Sequence, residues 1–214
     1  MDGLGRREFM KSVAGAAALS VSEFPAAAQT GPVFLATWPH GKPAVERAAE
    51  VFHGGGSLMD AVEKGINVPE DDPKVTSVGY GGLPNEEGVV ELDAAIMDGT
   101  LHRAGAVCAL HSIKNPISVA RQVIEKTRHT TLAGEGAFQF ALKMGFKPTQ
   151  LLTPQSLQQW LDWKTKPQHE QFWVTPENHD TIGFVATDGK GHTVSGCSTS
   201  GLAWKIHGRV GDSP

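Results

Sequence analysis

The chain has 214 residues, of which 40% are hydrophobic and 20% charged, proportions typical of a folded globular protein rather than a disordered one. Its 19 basic and 23 acidic side chains give a formal net charge of −4, which argues against a nucleic-acid-binding surface. The sequence contains no apolar run long enough to cross a bilayer, so we expect no membrane partner. Cys108 and Cys197 are the two cysteines, which allow one disulfide at most and leave open whether they pair.

The first 29 residues have the pattern of an export signal. Arg6 and Arg7 form a twin-arginine pair, residues 12–22 are moderately apolar, and residues 25–29 are small enough for a signal peptidase. The alternative is an ordinary amphipathic helix at the N-terminus. The export reading predicts a periplasmic or secreted protein, and it removes this segment from the fold.

The remaining chain alternates between strand and helix patterns. Glycine-containing turns and short apolar runs predict strands at 33–37, 75–80, 89–97, 101–110, 181–187, 192–199 and 203–206. Capping residues and apolar residues at helical spacing predict helices at 43–52, 58–64, 117–126, 133–144 and 154–164. The mixture indicates an α/β (α+β) fold.

Several patterns that can carry chemistry fail when their spacing is checked. The segment 169–173 begins like a zinc-protease motif, but Trp173 stands where the second histidine is required. The glycines at 54–56 lack the ending of a phosphate-binding loop. Cys197 has no helix N-terminus before it that would lower its pKa, so a buried thiol is the simpler interpretation. We therefore predict no metal and no cofactor.

Thr181 stands where a polar, charged loop ends and a strand begins. A cut before it would expose a threonine with a free α-amino group. A hydroxyl needs an adjacent base, and an α-amine has a pKa of about 7.7–8.0, near the pH at which a general base works best. Nucleophile and base would then belong to one residue. The alternative is a structural threonine at the start of a strand, where threonine is common.

A series of segments resembles the glycosylasparaginases, a group within the family of isoaspartyl peptidases and plant-type asparaginases. The similarity extends over nearly everything from residue 33 onward. The matching segments are Thr37-Trp38-Pro39, 56–62, 77–82, 92–99, 113–121, His179-Asp180-Thr181-Ile182-Gly183, 198–201 and 205–214.

The resemblance implies an N-terminal-nucleophile fold, in which two stacked β-sheets lie between helical layers. It also implies a precursor that cleaves itself between Asp180 and Thr181, giving an α-chain of residues 30–180 and a β-chain that starts at residue 181. Thr181 is then the catalytic nucleophile and Thr199 lies beside it. The positions that match substrate-binding residues are Trp38, Arg209, Val210, Gly211 and Asp212.

The activity that the resemblance implies is hydrolysis of the side-chain amide of N4-(β-N-acetylglucosaminyl)-L-asparagine. The Trp38 position and the Lys205-Ile206-His207 segment favour this substrate over asparagine or isoaspartyl peptides, which remain the nearest alternatives. The resemblance also implies a homodimer of αβ units. The family continues past Pro214 and supplies the oxyanion donors there, so we expect the sandwich and the active site to be incomplete in these 214 residues. A non-catalytic remnant is the alternative from another class.

Overall fold

The computed structural model describes residues 31–166 and 181–214, and these residues build one six-stranded sheet. Across the sheet the strands run β1, β5, β6, β2, β3, β4. All neighbours are antiparallel except β3 and β4, which are parallel. The bounds are Val33–Ala36 (β1), Glu91–Asp98 (β2), Arg103–His111 (β3), Thr131–Ala133 (β4), Ile182–Thr187 (β5) and Thr193–Thr199 (β6).

The helices begin where their capping residues predict. Ser57 accepts a hydrogen bond from the Asp60 backbone N–H, while the Asp60 carboxylate accepts one from the Ser57 backbone N–H, so the two residues form a capping box. Thr153 caps the last helix in the same way through Ser156. The described helices are Gly41–His53 (α1), Leu58–Asp71 (α2), Pro116–Lys126 (α3), Gly134–Lys143 (α4) and Pro154–Lys164 (α5).

Helices cover one face of the sheet and leave the other uncovered among the described residues. Ile66 of α2, Ile96 of β2 and Phe184 of β5 belong to one buried cluster on the covered side. On the opposite side Leu35, Met97 and Val185 are 63%, 41% and 46% exposed and line a wide apolar groove. We call this second side the open face.

The mixed α/β fold that the sequence predicts is present, with differences in detail. The segment 75–80 is not a strand but a series of turns, because Gly79 has a φ of 60° and its backbone is pressed against the Glu70 carbonyl. The segment 203–206 is a turn as well, with Trp204 at a φ of 62°. The helix expected at 58–64 continues to Asp71.

The expected second sheet is not found in the part of the chain that the structure describes. The short strand β4, which sequence patterns did not predict, is added at the edge beside β3. The observed layers are therefore one sheet with helices on one side, which is consistent with an incomplete sandwich.

Candidate active site

Three side chains of different strands fall in one row across the sheet. Ile182 pairs with Ser198, so the antiparallel register places Thr181, one residue earlier, opposite Thr199. Thr199 in turn pairs with Asp93 on β2. Because side chains alternate along a strand, Thr181 and Thr199 share the open face with Gly183 and Cys197.

Thr181 is held by contacts on both sides of its peptide. Its carbonyl accepts a hydrogen bond of 3.0 Å from the Thr37 hydroxyl, and that hydroxyl accepts one of 2.8 Å from the Gly183 N–H. Its own hydroxyl lies 3.3 Å from the hydroxyl of Ser213. The position of Thr181 is thus fixed by β1 and by the end of the described chain.

Thr199 is buried and lies at the end of β6, where the chain turns away from the sheet. Its hydroxyl accepts a hydrogen bond of 2.9 Å from the Gly201 N–H, and the Ser77 carbonyl lies 3.4 Å from it. The Ser200 N–H also donates to the Ser77 carbonyl, at 2.6 Å. The turns at 75–82 therefore support the Thr199 end of β6.

Trp38 directly follows Thr37 at the same edge of the sheet. It has a φ of 65°, a left-handed conformation that is uncommon for a bulky residue, and 46% of it is exposed. Strained backbone of this kind is concentrated at functional sites. Trp38 is one residue from the hydroxyl that contacts Thr181.

The chain between Ser200 and Asp212 forms a loop that we call the basic loop, after Lys205, His207 and Arg209. Its backbone is bonded to the turns before β2: the Trp204 N–H donates to the Pro84 carbonyl at 2.9 Å, and the Lys205 carbonyl accepts from the Glu86 N–H at 2.9 Å. The Trp204 ring also stacks on that of Trp163, with 5.4 Å between the centroids. Below it stand two acidic residues of β2, Glu91 and Asp93, both buried. The loop is therefore attached to the sheet by charge as well as by backbone hydrogen bonds.

Arg209 is half-buried within this loop and lies against glycine. A Cβ atom added to Gly211 would stand 2.9 Å from its Nη1 atom, and one added to Gly201 would stand 3.6 Å away. Among the described residues no salt bridge to the guanidinium is found, and its positive charge lowers the pKa of both Asp93 and Lys205. Val210 and Asp212 are exposed beside it.

Glu70 is a fully buried carboxyl group on the helix-covered side of the sheet, next to Ser198. It accepts hydrogen bonds from the Ser198 hydroxyl at 2.7 Å and the Ile117 N–H at 3.1 Å, and from the side-chain amides of Asn67 and Asn115. Burial raises the pKa of Glu70 to about 8, although these hydrogen bonds lower it in part. Glu70 joins α2, the start of α3 and β6.

Asp93 and Lys205 are a second buried ionisable pair. The Lys205 Nζ and the Asp93 Oδ2 are 3.7 Å apart. Burial raises the pKa of Asp93 and lowers that of Lys205, and the opposite charge of each partner counteracts both effects. This pair lies between the row that contains Thr199 and the basic loop.

Neither a disulfide nor a metal-binding group is found in the described part of the chain. Cys108 and Cys197 are free thiols, and burial raises the pKa of both. Within the described ranges, no three His, Cys, Asp or Glu side chains are grouped as a metal ion would require. In the same ranges no helix is long and apolar enough to span a membrane.

Sequence reasoning found part of this site and missed part. Thr181, Thr199, Trp38 and Arg209 lie at one end of the sheet, whereas Asp180 and the export signal are outside the described residues. The supporting residues that were missed are Thr37, Glu70, Glu91, Asp93, Lys205 and Ser213. Asp93 carried a signal, since it is a carboxylate flanked by apolar residues within a predicted strand.

Comparison with known proteins places these features in a family. The profile of the Asparaginase 2 family, described as asparaginase, matches residues 39–214. An N(4)-(β-N-acetylglucosaminyl)-L-asparaginase of Elizabethkingia miricola is 51% identical over 183 residues, covering 86% of this chain and 53% of the relative.

A rat protein of the same name is 42% identical, covering 86% of this chain and 61% of the relative. A plant-type L-asparaginase of Pyrococcus horikoshii is 44% identical, covering 74% and 55% respectively. The chain thus spans between half and about three-fifths of the length of these curated relatives. Since the profile matches residues 39–214, which is more than half of the chain, the chain belongs to the asparaginase family.

Proposed function

We propose that this chain forms the greater part of the active site of a self-cleaving amidohydrolase. Its substrate is N4-(β-N-acetylglucosaminyl)-L-asparagine, and its products are aspartate and the glycosylamine. Thr181 is the nucleophile. The names of the relatives from Elizabethkingia miricola and rat support this substrate.

The observation that carries the proposal is the alignment of Thr181 with Thr199 at the end of the sheet. The register places the two hydroxyl-bearing residues opposite each other, on the face that the helices leave open. Trp38 borders the same end, and the basic loop reaches it through Ser213. A small substrate on the open face would therefore meet the nucleophile and a cation together.

The hydroxyl oxygen of Thr181 is the nucleophile in two successive reactions. In the precursor, the Thr181 hydroxyl attacks the Asp180 carbonyl, and the peptide C–N bond breaks to give an ester and the free α-amine of Thr181. Water then hydrolyses this ester, which releases the Asp180 carboxylate and restores the Thr181 hydroxyl. In the mature protein the same hydroxyl attacks the side-chain amide carbonyl of the substrate while the α-amine accepts its proton. The amine returns the proton to the departing glycosylamine, and water then hydrolyses the ester.

Arg209 and Asp212 supply recognition of the free amino acid end of the substrate. A guanidinium can bind a carboxylate through two parallel hydrogen bonds, and a carboxylate can accept an ammonium group. Arg209 supplies the guanidinium that this role needs, and Asp212 stands exposed three residues later. Val210 and Gly211 separate Arg209 from Asp212 in the sequence.

Self-cleavage is tested by replacing the nucleophile. In protein that extends past Pro214 to the length of the relatives, we expect two chains, the second beginning with Thr181. Thr181→Ala should give one uncleaved chain without amidase activity, because hydroxyl and nucleophile are lost together. N-terminal sequencing of the smaller chain is the measurement, with the exposed Thr193→Ala as the matched control. A second chain that starts at another residue would refute the mechanism.

Asparagine and isoaspartyl peptides form the second candidate substrate class. The plant-type relative from Pyrococcus horikoshii favours it, because its identity to this chain is 44%. Competition between glycoasparagine and asparagine at equal concentrations would rank the two. If kcat/KM is higher for asparagine than for glycoasparagine, asparagine is the preferred substrate and the proposed substrate is wrong.

We further propose export through the twin-arginine route and assembly as a homodimer of αβ units. The pathway recognises the guanidinium pair, so the double substitution of Arg6→Lys and Arg7→Lys should leave the protein in the cytoplasm. Cell fractionation measures this. Periplasmic accumulation of the double variant would exclude the twin-arginine route.

A further inference from the structure

The buried Asp93–Lys205 pair is not explained by the chemistry described so far. Both side chains are buried: that of Lys205 is 2% exposed and that of Asp93 not at all. Removing two charges from water is costly, and a buried pair is weak evidence for stability by itself. The contacts around the pair show which parts of the molecule it connects.

Asp93 connects the pair to the centre of the sheet. Its backbone pairs with Thr199, and its Oδ1 accepts a hydrogen bond of 2.7 Å from the Ala109 N–H. Here β3 contains one residue more than β2, a β-bulge, and Ala109 has a φ of 48°. Bulges of this kind often lie next to active sites. Asp93 therefore fixes the strand that neighbours Thr199.

Lys205 connects the pair to the basic loop. Its Nζ donates a hydrogen bond of 3.2 Å to the Glu91 carbonyl, and it lies below Gly201, where an added Cβ would stand 2.9 Å from it. Three residues later, the Gly208 N–H donates to the Glu91 carboxylate at 3.0 and 3.1 Å. Arg209 thus follows two points at which β2 holds the loop.

We propose that Lys205 is a positioning residue for the substrate clamp, and that its pairing with Asp93 sets where the Arg209 guanidinium stands relative to Thr181. The inference rests on the proposed function, because it assumes that Arg209 binds the α-carboxylate of an amino acid substrate. Strand β2, which carries Asp93, then positions both the row of hydroxyl groups and the substrate clamp. Asp93 does so for the hydroxyl row through Thr199, and for the clamp through Lys205.

The first experiment measures the loop without using activity. In Lys205→Met, hydrogen exchange of the backbone amides in the basic loop should become faster, above all at Trp204 and Gly208, while exchange in β5 and β6 stays unchanged. Lys190→Met, which removes an exposed lysine in the β5–β6 turn, is the matched control. Unchanged loop exchange in Lys205→Met would overturn the proposal, whether or not the protein hydrolyses glycoasparagine.

The second experiment measures coupling to Arg209 in cleaved protein of the relatives' length. Lys205→Met should raise KM for glycoasparagine by about 10-fold to 100-fold, with a smaller effect on kcat, because a displaced clamp misplaces the substrate. In an Arg209→Ala background the same substitution should add little, because residues that act through one group are not additive. Multiplying effects would assign Lys205 a general structural role and overturn the proposal.

A conservative variant covers the case in which Lys205→Met does not fold. Lys205→Arg keeps the charge, but a planar guanidinium does not fit the space below Gly201 that the ammonium occupies. Faster loop exchange and a raised KM in Lys205→Arg support the proposal, and wild-type values of both refute it. If the wild-type protein shows no hydrolysis, the proposed function fails, and the exchange data alone decide whether Lys205 holds the loop.

Discussion

The Arg209 guanidinium has room because two residues close to it in space, Gly201 and Gly211, have no side chains. The guanidinium lies against Gly211, and Gly201 borders it at a greater distance. A larger residue at 211 would displace the guanidinium or bend the loop. Glycine at position 211 therefore leaves room for the Arg209 guanidinium.

Substitution of Arg209 by alanine tests its role in binding. Arg209→Ala should raise KM for glycoasparagine by the loss of a charge-assisted bidentate contact, about 1.5–3 kcal/mol. Self-cleavage should survive, since it needs no substrate. Steady-state kinetics and the chain pattern on a gel are the measurements, with Arg128→Ala, an exposed arginine between α3 and β4, as the control. An unchanged kcat/KM would show that Arg209 is structural.

Among the elements, the junction of α2, α3 and β6 depends on one carboxyl group. Glu70 lies at the end of α2 and is bonded to the start of α3 through Ile117 and to β6 through Ser198. It also bonds the amide of Asn67, one turn earlier in α2. Without Glu70 these polar groups would be buried and unpaired, which is more costly than their hydrogen bonds are favourable.

The raised pKa of Glu70 predicts a dependence of stability on pH. Because the folded state holds this proton up to about pH 8 and the unfolded state releases it near its ordinary value, the folded state binds more protons between these values. Stability should therefore fall as pH rises through that window. The contribution of Glu70 between pH 5.5 and 8.5 is on the order of 2–4 kcal/mol.

Glu70→Gln should reduce this fall, because an amide has no proton to lose. Urea unfolding at pH 5.5 and 8.5 measures it, and Glu46→Gln on the exposed side of α1 is the control. We expect the variant to be relatively more stable at pH 8.5 than at pH 5.5 when each is compared with wild type. An identical pH dependence in both proteins would mean that Glu70 is ionised throughout.

Local patterns in the sequence predicted most elements and failed where tertiary contacts decide the backbone. The helices with capping residues such as Ser57 and Thr153 began where expected, because capping acts within four residues. The segment 75–80 has the composition of a strand, but its docking against Glu70 requires left-handed glycines instead.

The candidate site shows the same division. Thr181 and Arg209 could be named from residue types and a family resemblance. The pairing of Asp93 with Lys205 could not, because 112 positions separate them in the chain and only the fold brings them to 3.7 Å. Buried partners of this kind leave little trace in local sequence, apart from a charged residue within an apolar strand.

At the scale of the whole molecule, the uncovered side of the sheet is the main apolar surface. Leu35, Met97 and Val185 present it on three different strands, and Ser213 reaches its edge at Thr181. Contiguous exposed apolar patches mark surfaces that another structure covers. The stacked second sheet that the resemblance implies would lie here.

Val185→Lys tests whether this side is uncovered. In the 214-residue chain we expect the substitution to reduce self-association, because it places a charge on an exposed apolar surface. In protein of the relatives' length it should lower the melting temperature, because the lysine would be buried between two sheets. Sedimentation and thermal unfolding measure the two effects, and Leu101→Lys in the β2–β3 turn is the control. A melting temperature unaffected in the longer protein would show that nothing stacks on Val185.

Chain ends normally fray. The hydroxyl of Thr37 would limit fraying at a terminus created inside the fold. It contacts the carbonyl of Thr181 and the amide of Gly183, so the residue after β1 restrains the two peptides that would follow the proposed cut. A new end at Thr181 would keep its place without renewed ordering. Cleavage would then alter one atom above all: the nitrogen of Thr181, a non-basic amide within the peptide, would become a basic amine in the position that the intact chain had prepared.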